Sequence, residues 1–230
     1  METNIDWKAI QDGLDTSGFA VIPSLLSAEE CSGLTEMYRI DKLFRSTISM
    51  ERYRFGKGEY KYFNYPLPAI ISQLREMLYP GLVPVANDWM QRLDLNIHFP
   101  GELKEFISVC HRGNQVRPTP LILRYEAGGF NTLHQDMYGD VFFPFQAVFM
   151  LTQPEKDFQG GELVFVEQLP RAQSRAEVVK PSLGDAVVFT TNFRPVKGAR
   201  GYYRTKMKHG VSPLKSGLRY TMGMIFHDAK

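Results

Sequence analysis

The chain has 230 residues, 43% of them hydrophobic and 23% charged, with 27 basic against 25 acidic side chains and a net charge of +2. These figures exclude a mainly disordered state and a globally basic nucleic-acid binder, and they leave room for a full core without staples. Two cysteines, Cys31 and Cys110, exclude a disulfide scaffold and a cysteine-built zinc site. No apolar run approaches ~18 residues, so no membrane span is expected. The opening Met1-Glu2-Thr3-Asn4 lacks the apolar stretch of a signal peptide. A cytoplasmic protein of a reducing compartment is expected.

In chain order, Trp7, Ile10 and Leu14 are spaced as one helical face. Gly18 breaks that pattern, and Phe19 to Ile22 reads as a short strand ended by Pro23. Ser27 and Glu30 have the spacing of a capping box and open a helix carrying Cys31, Leu34 and Met37. Residues 45–65 alternate aromatic and charged side chains around Gly56 and Gly58, which predicts a hairpin or an extended loop. Residues 69–110 read as helix in two or three pieces, punctuated by Pro80-Gly81 and Pro100-Gly101. From about residue 119 the period becomes that of strands, with segments at 121–125, 145–152, 162–167, 177–180, 186–190 and 218–226. The expected division is a mainly helical support region over residues 1–118 and an all-β core over 119–230, a sandwich or barrel.

Five histidines are present, and His134 and Asp136 stand two residues apart. On a strand such residues share a face, so both can reach one metal. Two histidines and one carboxylate form the facial triad that leaves open positions on Fe(II). His209, well downstream in a strand-like segment, is the candidate for the second histidine. Arg219 follows ten residues later and offers a guanidinium fork to a carboxylate. Tyr220, Met222, Met224 and Phe226 form the other face of its strand and are expected to be buried under the N-terminal helices. His227 reads as structural, and His98 and His111 as helical residues at the surface or behind the site.

These residues bring a family into view. Arg124-Tyr125, His134-x-Asp136, Gly160-Gly161-Glu162-Leu163, Gly184-Asp185-Ala186-Val187-Val188-Phe189, His209 and Arg219 together resemble the Fe(II)- and 2-oxoglutarate-dependent dioxygenases. The entry Gly18 to Pro23 with the capped helix is similar as well. The resemblance implies an α+β fold, a double-stranded β-helix or jelly roll with N-terminal helices packed on one sheet. It implies that His134, Asp136 and His209 bind Fe(II) and that Arg219 pairs the distal carboxylate of 2-oxoglutarate. O2 would be the second cosubstrate, with succinate and CO2 as products. Tyr125 and Thr221 resemble residues that contact the cosubstrate in some members.

The run His209-Gly210-Val211-Ser212 and the ending Ile225-Phe226-His227-Asp228-Ala229 resemble a bacterial subgroup described, by analogy with AlkB-type demethylases, as oxygenases of damaged nucleic-acid bases. The His-to-Arg spacing of ten resembles the prolyl-hydroxylase branch instead. Two segments carry the composition of a single-strand nucleic-acid groove, cations with interleaved aromatics. They are residues 45–65 and residues 192–208, the latter with Arg194, Lys197, Arg200, Arg204, Lys206 and Lys208 and no acid. Both are expected to flank the pocket mouth. A hydroxylase of a protein side chain or free amino acid remains the alternative, and a non-catalytic binding module is disfavoured by the intact triad.

Overall fold

The computed structural model describes residues 5–230; Met1 to Asn4, and with them the expectation about a signal peptide, fall outside the described residues. Asp6 caps α1 (Trp7–Ser17) by accepting from the Ala9 amide, and Gly18 ends it at a φ of 78°, where a side chain would be strained. Strand β1 (Phe19–Ile22) follows, and the Ser27–Glu30 capping box opens α2 (Ala28–Met37). The aromatic and charged stretch resolves into three strands, β2 (Phe44–Ser49), β3 (Gly56–Lys57) and β4 (Glu59–Phe63).

The expected break at Pro80 does not occur. α3 (Ala69–Arg92) is one continuous helix with Pro80 and Pro84 inside it. Glu76, Pro80 and Pro84 lie four residues apart on the exposed face. The carbonyls that the two prolines leave unbonded therefore face water, while Leu74, Leu78, Leu82, Trp89 and Met90 hold the other face in the core. α4 (Leu103–Arg112) completes the helices. His98 is not helical but lies exposed in the connection between α3 and α4.

Ten strands follow: β5 (Leu121–Glu126), β6 (Phe130–His134), β7 (Phe145–Met150), β8 (Phe158–Gly160), β9 (Leu163–Gln168), β10 (Arg175–Val179), β11 (Ala186–Thr190), β12 (Phe193–Gly198), β13 (Gly201–Val211) and β14 (Leu214–Ile225). They build two antiparallel sheets. The larger has the order β1-β11-β7-β14-β5-β4-β2, with β8 on β14; the smaller has β10-β9-β13-β6-β3, with β12 on β13. Residues before 118 thus supply strands to both sheets as well as helices.

β14 shows how the fold places a site. Tyr220, Met222, Met224 and Phe226 are buried in the same cluster as Leu74, Leu78 and Trp89 of α3. Arg219, Thr221, Gly223 and Ile225, on the alternate face, line the cavity between the sheets. The helices therefore back the larger sheet and hold its inner face toward the cavity.

Candidate active site

His134 ends β6 and is the cross-strand partner of His209 on β13, which puts the two rings 4.2 Å apart. Asp136 lies past the end of β6, not on the strand as the i,i+2 argument assumed. Gln135 accounts for the departure, because its side-chain amide donates to the Asn192 and Met207 carbonyls and draws the chain off the ladder. The Asp136 amide then bonds the Thr191 carbonyl at 3.3 Å, which turns the carboxylate back to the histidines. Asp136 Oδ2 is 3.2 Å from His209 Nε2, and Oδ1 is 3.7 Å from His134 Nε2. One ligand atom from each of the three residues lies within 4.8 Å of the others.

The surrounding hydrogen bonds prepare these groups as ligands. His134 Nδ1 donates to the Thr132 carbonyl at 2.7 Å, which leaves the Nε2 lone pair free. Burial first, then the neighbouring His209, lowers the pKa of His134 and favours the neutral ring. Burial pushes the Asp136 carboxyl up, but the bond to His209, the two histidines and the Tyr138 hydroxyl outweigh it and hold the group well below the usual carboxylate range. Tyr138 donates to Asp136 Oδ1 at 2.8 Å, and Tyr62 donates to Tyr138 at 3.1 Å. Burial and the Asp136 charge keep the Tyr138 phenol protonated far above its ordinary range, so it stays a donor. Sequence reasoning missed Tyr138; no strand period points to it, because the chain has left β6 after His134.

Arg219 is 1% exposed, and its Nε and Nη2 have no protein partner. Nη1 reaches Thr221 Oγ1 at 3.5 Å, and the guanidinium carbon lies 5.5 Å from the Tyr125 ring centre. Desolvation lowers the Arg219 pKa to about 10. Tyr125 is fully buried beside it, its hydroxyl also lacks a partner, and burial pushes its pKa up to about 12. Arg219, Thr221 and Tyr125, the three residues expected to meet the cosubstrate, are therefore neighbours on the wall of the cavity. A buried cation with open donors and no carboxylate fits a dicarboxylate ligand, and the His-Asp-His donor set fits Fe(II).

Residues 45–65 reach the cavity through Phe55, Tyr60 and Tyr62, with Phe55 tied to β6 by the Thr132 amide at 2.8 Å. Among the described residues none of 192–208 lines it. That segment is the β12–β13 hairpin and meets the rim through Asn192, which accepts from Gln135 and donates to the Met137 sulfur, and through the Met207 carbonyl, which also accepts from Gln135. Arg194 is not free for a ligand; it is buried on Glu167 at 2.7 Å and donates to the Asp15 carbonyl of α1. The other five cations of the hairpin form an adjacent surface, not a pocket wall. His227 is buried and accepts from the Phe143 amide, and His111 bonds Asp228 at the far side of the larger sheet.

A family profile described as "Oxygenase, catalysing oxidative methylation of damaged DNA" matches residues 58–229. The chain belongs to this oxygenase family. An uncharacterized protein of Mycobacterium tuberculosis is 44% identical over 167 residues, covering 73% of this chain and 72% of that one. The fold is similar to a Pseudomonas putida prolyl-4-hydroxylase, with a TM-score of 0.58 at 17% identity over 97% of this chain and 99% of that one. A Trichoplax adhaerens prolyl hydroxylase gives 0.59 at 17% identity, covering 96% and 89%. An oxidoreductase of the 2OG-Fe(II) oxygenase family from Burkholderia pseudomallei gives 0.53 at 13%, covering 99% and 94%. The family makes the protein an oxygenase, its jelly-roll fold is that of these neighbours, and its His-Asp-His cluster is one that could hold a metal ion. No helix among the described residues is long and apolar enough to cross a membrane.

Proposed function

We propose that the enzyme oxidises damaged bases in single-stranded or flipped-out nucleic acid. The observation that carries this reading is the rim of the cavity. Phe55 and Met137 stand there, each 46% exposed, and Tyr53 stacks on Phe55 with ring centres 5.6 Å apart. Arg52, Arg54 and Lys57 are exposed around the pair, whereas Arg45 and Lys61 of the same segment are engaged with the Pro118 carbonyl and with Asp41. Aromatic faces flanked by open cations suit a base and its phosphates. The family description supports the same substrate class.

In this reading His134, Asp136 and His209 hold Fe(II), and Arg219, with Tyr125 and Thr221, binds the distal carboxylate of 2-oxoglutarate. Bound Fe(II) supplies the activation of O2 at the expense of oxidative decarboxylation of 2-oxoglutarate. Tyr138 holds Asp136 by one oxygen, and Thr132 fixes the His134 tautomer. Phe55 and Met137 orient the base over the triad and exclude water from it. One oxygen atom enters the substrate and the other enters succinate. On an N-methyl group the hydroxylated carbon leaves as formaldehyde, which restores the base. Residues 119–230 form the catalytic core in this scheme, and residues 1–118 support it and add the Phe55 wall.

The experiment is a screen of methylated oligonucleotides, peptides and free amino acids scored by succinate release. Stimulation by oligonucleotides, with binding that weakens steeply as salt rises, is expected. Stimulation by peptides or amino acids alone would overturn the reading and point to the hydroxylase alternative.

A further inference from the structure

We propose that Gln146 reads the substrate of this site: its carboxamide hydrogen-bonds the donor–acceptor edge of the base that lies over the triad. The inference rests on the nucleic-acid reading above. Gln146 interrupts β7, Phe145-Gln146-Ala147-Val148-Phe149-Met150, which is otherwise apolar. It is 3% exposed, and its side-chain nitrogen has no hydrogen-bond partner. It nevertheless lines the cavity rather than packing into the core. A buried amide that finds no partner within its own chain carries a desolvation penalty that a ligand can remove.

The register identifies which ligand. Gln146 pairs with Ile225 on β14, and Tyr125 pairs with Arg219 on the same strand. Six residues separate Arg219 from Ile225, about 20 Å at roughly 3.3 Å per residue. 2-Oxoglutarate has a five-carbon chain, roughly 5 Å long at about 1.5 Å per bond. A cosubstrate held by Arg219 sits at the other end of that stretch of β14, which leaves the unpaired amide to the second molecule of the cavity, the substrate. Val148, Phe189 and Ile225, its neighbours on that wall, are apolar. The charged groups lining the cavity among the described residues are the triad and Arg219. The ligand part that meets Gln146 thus lies against apolar walls and presents a donor or acceptor edge. An amide offers both a donor and an acceptor, the pairing by which a Watson–Crick edge is read.

The test uses protein loaded with Co(II) for binding and Fe(II) for turnover, with oligonucleotides carrying one N-methylated adenine or one N-methylated cytosine. Gln146→Leu should weaken oligonucleotide binding about ten- to a hundredfold and flatten the preference between the two bases. Its dissociation constants for Co(II) and for 2-oxoglutarate should stay unchanged. Gln146→Glu, which keeps the acceptor and loses the donor, should shift the base preference instead of abolishing it. A Gln146→Leu protein that binds 2-oxoglutarate less tightly would make Gln146 a cosubstrate or folding residue and overturn the inference. Unchanged affinity and preference in both variants would also overturn it while leaving the nucleic-acid reading standing. Failure of the unaltered protein to bind any oligonucleotide would remove the nucleic-acid reading itself, and this inference with it.

Discussion

Replacing Arg219 by leucine should weaken 2-oxoglutarate binding and, in the same protein, leave stability unchanged or raise it. The magnitude follows from burial. The guanidinium is 1% exposed, has no counter-ion, and its pKa is lowered from 12.5 to about 10 by desolvation. At 1.36 kcal/mol per unit that is a cost of about 3 kcal/mol for keeping it charged at neutral pH. The sign agrees: between pH 10 and 12.5 the unfolded chain binds the extra proton, so below that window the folded state carries the whole penalty. Leucine removes the penalty but loses the contacts with the Tyr125 and Phe158 rings, so a net gain between zero and about 3 kcal/mol is expected. The bidentate contact with the cosubstrate is lost at the same time, worth a ten- to few-hundredfold rise in Kd, about 1.4 kcal/mol per decade. Calorimetric titration of 2-oxoglutarate into the Co(II) protein reads the first effect, and urea unfolding without cosubstrate reads the second. An unchanged Kd, or a stability loss of several kcal/mol, would show that Arg219 serves the fold and not the cosubstrate.

Other outcomes follow from single contacts. Tyr138→Phe removes the donor at Asp136 Oδ1 and should weaken Co(II) binding about ten- to a hundredfold, as read by the metal's visible bands; Tyr62→Phe, one bond further out, should do less. His227 is buried with its pKa lowered to about 4 from 6.5 by desolvation and by Arg75, so stability should fall as pH drops from 6.5 toward 4. His227→Asn should lose about 2–3 kcal/mol less than the unaltered protein between pH 7 and pH 4.5 in urea unfolding; parallel curves would refute the assignment. Pro84→Ala returns a donor to the Pro80 carbonyl on the exposed face of α3, and should raise stability by about 1–3 kcal/mol. A lower Tm in that variant would mean the helix depends on the proline ring.

Much of this arrangement was legible in the chain because local chemistry and tertiary structure agree there. The capping box at Ser27 and the two faces of β14 read directly from periodicity; His134, Asp136 and His209 do come together, but Asp136 arrives from beyond the strand end and not by the strand period. Apart from the strand-like segment around His209, the β12–β13 hairpin did not read as strands. Thr205, Met207 and His209 alternate inward, but Arg204, Lys206 and Lys208 on the other face give the stretch the composition of a solvated loop. The continuity of α3 through two prolines was hidden for a related reason: proline's cost depends on whether the freed carbonyl meets water, and exposure is not written in the sequence. The fate of Arg194 was equally out of reach, because its partner Glu167 is 27 positions away and the pairing depends on sheet register.

Three arginines among the described residues are buried, and the contrast between them separates fold from function. Arg75 meets the buried Asp228 at 3.0 Å and the Phe226 carbonyl at 2.8 Å; Arg194 meets Glu167. Both are paired as a buried charge requires when it serves structure. Arg219 meets no carboxylate, and beside it Tyr125 also lacks a partner. A buried cation left unpaired is costly, and a ligand carboxylate would remove that cost. The same logic applies at the opposite end of the cavity, where Gln146 is open and the nearby phenol of Tyr138 is not. In the proposed reading the satisfied groups hold the metal ligands in place, and the unsatisfied Arg219, Tyr125 and Gln146 on the cavity wall are where cosubstrate and substrate would bind. A site drawn from metal ligands alone would include the triad and miss both.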